Sequence, residues 1–314
     1  MALLADHSAL PKADRNDGGC PPDEHPRFVH LLVEEWAQRN TDDGDKPTAY
    51  DTRLRHSDAG KCARMLSYKA AGLPASDPMD LPGVWVTSLG TLLHEHWQAA
   101  LQRRYPDAQV EVKLRVDGLD ASGHADALLV VDGRRIAYEL KTVGGYAFKM
   151  KVGERGAPEG PSHDHLLQGA LNAVALDADE LVIGYLATEA ISINAAQRRK
   201  LQGAARFAAE WTFTRDEFEP LAERERSRMT SILRLVDDGM LAARRFADPS
   251  LPVGHEVVDP VASAGDGRWE LRRDGSVVDA GTWWACGYCA FRSLCATTRP
   301  GRIPIVEVTG GQAA

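Results

Sequence analysis

A change in hydrophobic period divides the central part of the chain into a helix and a strand. From about residue 87, where Thr87 or Ser88 can cap a helix, apolar residues such as Leu93 and Trp97 repeat at helical spacing up to residue 104. From residue 110 to 117 apolar and charged residues alternate, which is typical of a half-buried strand. The pattern therefore predicts an amphipathic helix followed by a strand.

A second strand pair is predicted around Asp132-Gly133. The flanking segments 123–131 and 134–142 are rich in apolar residues, and an Asp-Gly dipeptide between them is a strong hairpin signal. Helical spacing returns over residues 163–175, and residues 180–187 have strand character. The order helix, three-stranded antiparallel meander, helix, strand predicts a mixed α/β core.

The flanking regions complete a single predicted domain over residues 26–314, with its core at about 87–190. A Gly/Pro-rich, polar segment at residues 1–25 is expected to be loose. Two further helices are predicted, one at 26–40 and a short one capped by Ser57 or Asp58 and ending near Lys69. A Gly/Pro-rich loop at 144–162 is expected to be substrate-facing or mobile. A helical region is predicted at 194–246, and a hairpin from Trp269 to Val278 within a cysteine-rich segment at 265–300.

The amino-acid composition says less about function than the pattern of apolar and polar residues does. The sequence has no run of about 18 apolar residues, and charged or polar residues such as Asp6, His7, Lys12 and Asp14 interrupt its start, so we expect a soluble, cytoplasmic protein. The net charge of -8 does not indicate nucleic-acid binding by itself, because phosphate contacts come from local clusters of Lys and Arg. Lys149 and Lys151 form one such cluster and are candidate DNA contacts, although a solvated surface is the alternative.

Two acidic residues face each other if Asp132-Gly133 is a two-residue turn. Val131 then pairs with Arg134, and counting along both strands puts Asp126 opposite Glu139. Side chains at such positions lie about 5 Å apart, so the two carboxylates repel each other unless a cation lies between them. Lys141 projects from the same face as Glu139 because strand side chains alternate.

This combination suits phosphodiester hydrolysis. A hard divalent cation held by carboxylates polarises the phosphate and activates water, and a nearby positive group serves the attacking water or the developing charge. We therefore expect Asp126 and Glu139 to hold Mg or Mn, with Lys141 serving the water. The alternative is that Glu139 and Lys141 form an ordinary ion pair on a strand.

Five cysteines are present, and Cys286, Cys289 and Cys295 lie close together near the end of the sequence. Without a secretion signal, this spacing favours metal binding over disulfides. Three thiolates need a fourth ligand for a tetrahedral metal or a cubane cluster, and Cys62 is the candidate. Cys20 is left uncommitted. The spacing is compatible with zinc as well as with an iron-sulfur cluster.

The motifs resemble those of the PD-(D/E)XK nucleases, in particular the RecB-like exonuclease branch that carries a 4Fe-4S cluster, as in AddB-type nuclease domains and CRISPR-associated adaptation exonucleases. The resemblance rests on Gly90-Thr91-Leu92-Leu93-His94, Gly123-His124-Ala125-Asp126, Glu139-Leu140-Lys141, Gln168, and the order of one early and three late cysteines. It implies that His94 and the backbone carbonyl of Leu140 are further metal ligands and that Gln168 contacts DNA. Asn172 stands where the branch has a Tyr, so that residue's role in the branch is not carried over.

The resemblance also implies a function and a cofactor. It implies a restriction-endonuclease-like fold with helical extensions. In this fold, a 4Fe-4S cluster bound by Cys62, Cys286, Cys289 and Cys295 holds the C-terminal segment against the core. The expected activity is a metal-dependent DNA exonuclease acting on free ends, with single strands as the expected substrate. No phosphate-binding loop of a helicase is present, so unwinding would need a helicase or recombination partner. The alternatives are a catalytically idle nuclease fold that binds DNA or assembles with partners, and a zinc-stabilised interaction protein.

Overall fold

The computed structural model describes residues 52–153, 158–188, 207–244, 270–271, 277–278, 288–298 and 301–310. The expectations for the segment 1–25, for the helix at 26–40, and for Cys20 and Cys286 lie outside these residues. Within the described ranges, no helix is both long enough and apolar enough to cross a membrane.

The predicted α/β class is confirmed, because the structure contains a mixed six-stranded sheet with helices between several of its strands in chain order. The helices are α1 Ala63–Ala70, α2 Leu81–Arg104, α3 Gly145–Lys151, α4 His163–Ala175, α5 Arg215–Asp237, α6 Arg292–Ala296 and α7 Val306–Thr309. The strands are β1 Leu54–Arg55, β2 Gln109–Arg115, β3 Ala121–Val131, β4 Arg134–Val143, β5 Glu180–Ala187, β6 Ala208–Thr214, β7 Met240–Leu241, β8 Glu270–Leu271, β9 Val277–Val278 and β10 Ile303–Pro304.

The meander β2, β3, β4 is antiparallel, as predicted, and its hairpin has the predicted register. Val131 pairs with Arg134, and the ladder continues to Ala127 opposite Tyr138. Asp132 and Gly133 both have positive φ angles, of 50° and 79°, which a two-residue hairpin turn of this type requires. The hairpin predicted at Trp269 to Val278 is also confirmed, because β8 and β9 pair antiparallel.

Strand β4 is central in the sheet, which explains why Ala137 and Leu140 are buried. It pairs antiparallel with β3 and parallel with β5, and β6 then pairs antiparallel with β5. Strand β1 pairs in parallel with the beginning of β3, at Leu54 opposite Ala121. Helix α4 packs between the sheet and α5, and buries Leu167, Ala170 and Leu171 in the main core.

Three predicted boundaries were wrong. Helix α2 begins at Leu81 instead of near Thr87, because Asp80 caps it by accepting a hydrogen bond from Gly83 N at 2.9 Å and proline stands in its first turn. The segment expected as a loop at 144–162 contains α3. The short helix capped by Ser57 or Asp58 is instead a 3-10 turn at His56–Asp58 followed by α1, whose N-cap is Cys62.

The helical region predicted at 194–246 is also corrected. Within its described part, β6 precedes α5, and β7 follows it. Helix α5 starts at the sharp boundary after Thr214, where Thr214 and Glu217 form a capping box. The residues of β6 pair with a strand more than twenty positions earlier, so that tertiary contact outweighs the helical character of the surrounding sequence.

Candidate active site

The predicted acidic residues and their neighbours lie together where the pairing of β3 and β4 ends. Asp126 is on β3, Glu139 and Lys141 are on β4, His94 is on α2 and Gln168 is on α4. His94 Nδ1 lies 3.4 Å from Asp126 Oδ1, and Lys141 Nζ lies 2.7 Å from Glu139 Oε1. Five side chains from four elements therefore meet at one end of the hairpin.

Asp126 is fixed by the backbone of the facing strand. The regular ladder stops one residue before the expected pair of Asp126 and Glu139. In its place, Asp126 Oδ2 accepts a hydrogen bond from Leu140 N at 2.6 Å. Gln98, one helical turn after His94, donates to the carbonyl oxygen of Asp126 at 3.4 Å. The carboxylate of Asp126 therefore keeps one oxygen on the sheet and turns the other toward His94.

Glu139 is held by three donors. Its Oε1 accepts hydrogen bonds from Lys141 Nζ at 2.7 Å and from Gln168 Nε2 at 2.5 Å, and its Oε2 accepts one from Asn172 Nδ2 at 2.9 Å. Lys141 also donates to Gln168 Oε1 at 3.0 Å, which closes a ring of three polar side chains. Two of the three contacts in this ring join β4 to Gln168 on α4, so the helix helps to orient the acid.

Burial dominates the electrostatics of this group. Glu139 is only 2% exposed, and its burial raises its pKa, an effect that Lys141 opposes and the charge of Asp126 reinforces. Burial alone would lower the pKa of Lys141, but Glu139, Asp126 and Asp164 together outweigh it and the pKa is raised. Two carboxylates share one lysine ammonium, so the group has an excess of negative charge. Its oxygen and imidazole donors fit a hard divalent cation.

The arrangement is not a finished ligand cage. Within the described ranges, no three His, Cys, Asp or Glu residues are grouped so that they could hold a metal ion. His94 and Asp126 face each other, whereas both oxygens of Glu139 point to Lys141, Gln168 and Asn172. The assignment of a metal to His94, Asp126, Glu139 and the Leu140 carbonyl therefore stays a prediction.

Sequence reasoning underrated Asn172 and missed His56. Asn172 lies one helical turn after Gln168 on the same polar stripe of α4, so its spacing already indicated a shared direction. His56 follows β1 directly, and its Nδ1 lies 2.7 Å from Asn172 Oδ1. Nothing in the local sequence pairs His56 with a residue 116 positions later.

The predicted DNA contacts lie on α3 and α4. Lys149 and Lys151 belong to the last turn of α3, and Lys151 Nζ forms an ion pair with Glu159 at 2.9 Å. Gln168, as described above, is part of the polar ring around Glu139. None of these contacts tests a role in DNA binding, which stays a prediction for all three residues.

Three of the four predicted cluster cysteines are described, and their thiols interact. Cys62, Cys289 and Cys295 are free cysteines, and each of Cys289 and Cys295 raises the pKa of Cys62. Burial is the larger effect and raises the pKa of Cys62 to about 12, although the backbone N–H groups of the first turn of α1 act in the opposite direction. Cys289 and Cys295 are therefore near enough to Cys62 to affect its charge, but within the described ranges no three cysteines are grouped so that they could hold a metal, and the cluster stays a prediction.

Two buried arginines hold the late cysteine segment against the core. Arg64 donates to the carbonyl oxygens of Ala242 and Gly301, and Arg244 donates to those of Cys295 and Thr298. Both side chains are at most 1% exposed. Segments far apart in the sequence are therefore connected through main-chain carbonyls.

Comparisons with known proteins give only weak similarities. No protein-family model matches the chain, and no curated protein matches it. The chain is similar to the crystal structure of SSO0001, with 18% identity, a TM-score of 0.40, and coverage of 67% of this chain and 86% of that one.

Two exonuclease structures also show weak similarity to the chain. One is the LHK-Exo complex with dAMP, LHK-Exo being an alkaline exonuclease from Laribacter hongkongensis, with 11% identity, a TM-score of 0.40, and coverage of 59% of this chain and 88% of that one. The other is a phage-related exonuclease from Haemophilus somnus 129PT, with 10% identity, a TM-score of 0.31, and coverage of 70% and 91%. At these values the likeness assigns neither a family nor an activity, so function must be argued from the site.

Proposed function

We propose that this protein is a divalent-metal-dependent deoxyribonuclease that hydrolyses phosphodiester bonds from DNA ends, with single strands as its substrate. The observation that carries the proposal is the convergence of His94, Asp126, Glu139 and Lys141 from α2, β3 and β4 at one point. Buried acids beside a lysine are costly for a fold and are typical of catalytic sites.

The metal site would consist of His94, Asp126, Glu139 and the backbone carbonyl of Leu140. The excess negative charge of the group and its oxygen donors fit Mg or Mn. When bound, such a cation supplies Lewis-acid stabilisation of the phosphate charge and activation of water. Asp126 is already oriented by Leu140 N, and Glu139 by its three donors, so this chain's residues fix the positions of both acids before any ligand arrives.

Lys141 and Gln168 would contact the DNA substrate next to the proposed metal ligands. Lys141 stays charged next to Glu139 and brings a positive group to the reacting phosphate. Gln168 holds both Lys141 and Glu139, and from this position its amide can meet DNA. Lys149 and Lys151 on α3 would bind backbone phosphates, with a phosphate replacing Glu159 as the partner of Lys151.

We also propose that Cys62, Cys286, Cys289 and Cys295 hold a 4Fe-4S cluster with a structural role. The proximity of Cys62 to Cys289 and Cys295 supports a shared metal, and so does the position of Cys62 at the N-terminus of α1, where backbone N–H groups favour a thiolate. Zinc on the same ligands is the alternative. Purification without oxygen distinguishes them: a brown protein with iron and sulfide supports the cluster, and a colourless protein with zinc contradicts it.

Hydrolysis of three DNA substrates tests the nuclease proposal. Linear single-stranded, linear duplex and circular DNA are incubated with Mg or Mn and with wild type, Asp126→Ala, Lys141→Ala, and the control Asp132→Asn in the exposed hairpin turn. We expect wild type and control to degrade linear single strands, and both site variants to be inactive. No degradation by wild type, or full activity of both variants, would leave a DNA-binding or assembly module. Cutting of circles would indicate an endonuclease instead, and duplex degradation only with an added helicase would indicate a partner.

A further inference from the structure

A buried chain of hydrogen bonds lies behind Glu139 and leads away from the proposed metal. Glu139 Oε2 accepts from Asn172 Nδ2 at 2.9 Å, and Asn172 Oδ1 lies 2.7 Å from His56 Nδ1. Glu139, Asn172 and His56 are 2%, 1% and 0% exposed. Three elements far apart in the sequence, β4, α4 and the turn after β1, thus meet through side chains that water does not reach.

The direction of these hydrogen bonds follows from the neighbours of Asn172. Its Nδ2 has two acceptors, Glu139 Oε2 and the carbonyl oxygen of His124 at 3.1 Å, so its Oδ1 faces His56. An oxygen can only accept, so His56 carries its hydrogen on Nδ1 and donates. Burial lowers the pKa of His56, which favours the neutral ring that has one hydrogen to donate. His56 thereby sets the orientation of the Asn172 amide.

Gly123 fixes where the His56 ring lies. A Cβ atom at residue 123 would be 2.7 Å from His56 Cγ and 2.8 Å from His56 Nδ1, so the ring rests directly on the backbone of β3. Gly123 is three residues before Asp126 on the same strand. The ring that orients Asn172 is therefore held by the strand that carries the other acid of the pair.

We infer that His56 and Asn172 are positioning residues that fix the carboxylate plane of Glu139 for the cation and thereby raise metal affinity. The inference rests on the proposed function. Lys141 and Gln168 occupy only Oε1, so Asn172 is the contact that restrains Oε2. Residues that orient metal ligands through hydrogen bonds typically change metal affinity or activity about 10- to 100-fold when they are replaced.

A pair of substitutions of matched shape at His56 isolates the donated hydrogen bond. Asn and Leu have the same number of side-chain heavy atoms and the same branching at Cγ, but only Asn keeps an N–H donor near the position of Nδ1. Wild type, His56→Asn, His56→Leu and Asn172→Leu are compared for Mn²⁺ binding without DNA, by electron paramagnetic resonance of free Mn²⁺. Melting temperature and the Mn²⁺ concentration for half-maximal DNA hydrolysis are measured on the same preparations.

A buried hydroxyl away from the site serves as the control. Ser67 is fully buried, donates to Ala63 O at 2.8 Å and accepts from Ala242 N at 2.9 Å. Ser67→Ala removes a buried hydrogen-bonding group without touching Glu139, so we expect a lower melting temperature and unchanged Mn²⁺ binding. It separates a general loss of stability from a loss of positioning.

We expect His56→Leu and Asn172→Leu to weaken Mn²⁺ binding by about 10-fold or more, and His56→Asn to stay within about 3-fold of wild type. Equal binding by His56→Asn and His56→Leu would overturn the inference while leaving the nuclease proposal intact. A wild type that neither binds Mn²⁺ nor degrades DNA would overturn both. If His56→Leu does not fold, Asn172→Leu gives the decisive comparison at the other end of the chain: unchanged Mn²⁺ binding would overturn the inference.

Discussion

The acidic site and the cysteine region are assembled in opposite ways. In the acidic site, Glu139 already has Lys141, Gln168 and Asn172 as partners, so its charge is compensated inside the chain. In the cysteine region, burial raises the pKa values of Cys62 and Cys289, and the thiols stay neutral unless a cation joins them.

From this difference we expect the acidic site to affect mainly activity and the cysteine region to affect mainly stability. A site whose acids are already held by hydrogen bonds within the chain keeps its shape without a metal, so substitutions there should affect activity more than folding. A thiol group that needs a cation to ionise couples metal binding to folding. The predictions that follow test this division, from the largest expected effect to the smallest.

Asp126→Asn should have the largest effect, and on activity alone. It keeps the size of the side chain and can still accept from Leu140 N, but it removes the charge that a cation needs. We expect DNA hydrolysis to fall about 10³-fold with a melting temperature close to that of wild type. Steady-state rates and calorimetry on Asp126→Asn and on the exposed control Asp132→Asn measure both. A large loss of stability in Asp126→Asn alone would contradict the division.

Cys62→Ser should have the opposite effect. Serine is a good N-cap residue, so the start of α1 is not weakened while the proposed metal ligand is lost. We expect loss of bound iron or zinc and a melting temperature lower by about 5 °C or more, because a structural metal contributes directly to folding. Cys20→Ser, outside the four-cysteine set, is the control. Unchanged metal content in Cys62→Ser would remove Cys62 from the ligand set.

Arg64→Met should destabilise the cysteine region without removing a ligand. The buried guanidinium donates to Ala242 O and Gly301 O, and methionine fills the space but leaves both carbonyls without this donor. We expect the free energy of unfolding to fall by about 2 kcal/mol, from chemical denaturation. Arg226→Met, which removes the exposed ion pair with Glu223, should cost under about 0.5 kcal/mol. Equal effects would show that burial of Arg64 contributes nothing.

Gly133→Ala should have the smallest effect, on stability only. Gly133 and Gly301 both have open space around an added Cβ, but of the two only Gly133 has a positive φ angle, of 79°. We expect Gly133→Ala to lower the free energy of unfolding by about 1 kcal/mol and the matched control Gly301→Ala to have no such cost. A change in Mn²⁺ binding with Gly133→Ala would mean that the hairpin turn and the acidic site are coupled.

Local patterns predicted the part of the fold that is fixed by neighbouring residues. The β3-β4 register followed from one dipeptide, and the helix at 163–175 followed from its apolar spacing, with bounds that match α4. The start of α2 was missed although its signals, Asp80 and the following proline, are local. Strand β6 was missed because Trp211 and Phe213 alternate over only seven residues and the strand depends on pairing with β5.

The candidate site divides in the same way. Asp126, Glu139 and Lys141 lie on two strands joined by a short turn, so their proximity could be predicted from the hairpin. The contact of His56 with Asn172 depends on how β1 and α4 pack against β3, and no periodicity within either segment encodes it. Sequence thus located the acids, Lys141 and Gln168, but not the contact between His56 and Asn172.

The most direct test is a Mn²⁺ titration of wild type and Glu139→Gln that follows metal binding and release of nucleotides from end-labelled single-stranded DNA together. We expect wild type to release nucleotides in proportion to bound Mn²⁺, and Glu139→Gln to lose both, with folding intact by circular dichroism. Nucleotide release by Glu139→Gln at the wild-type rate, or Mn²⁺ binding by wild type without any hydrolysis, would contradict a metal-dependent nuclease built on the acid pair.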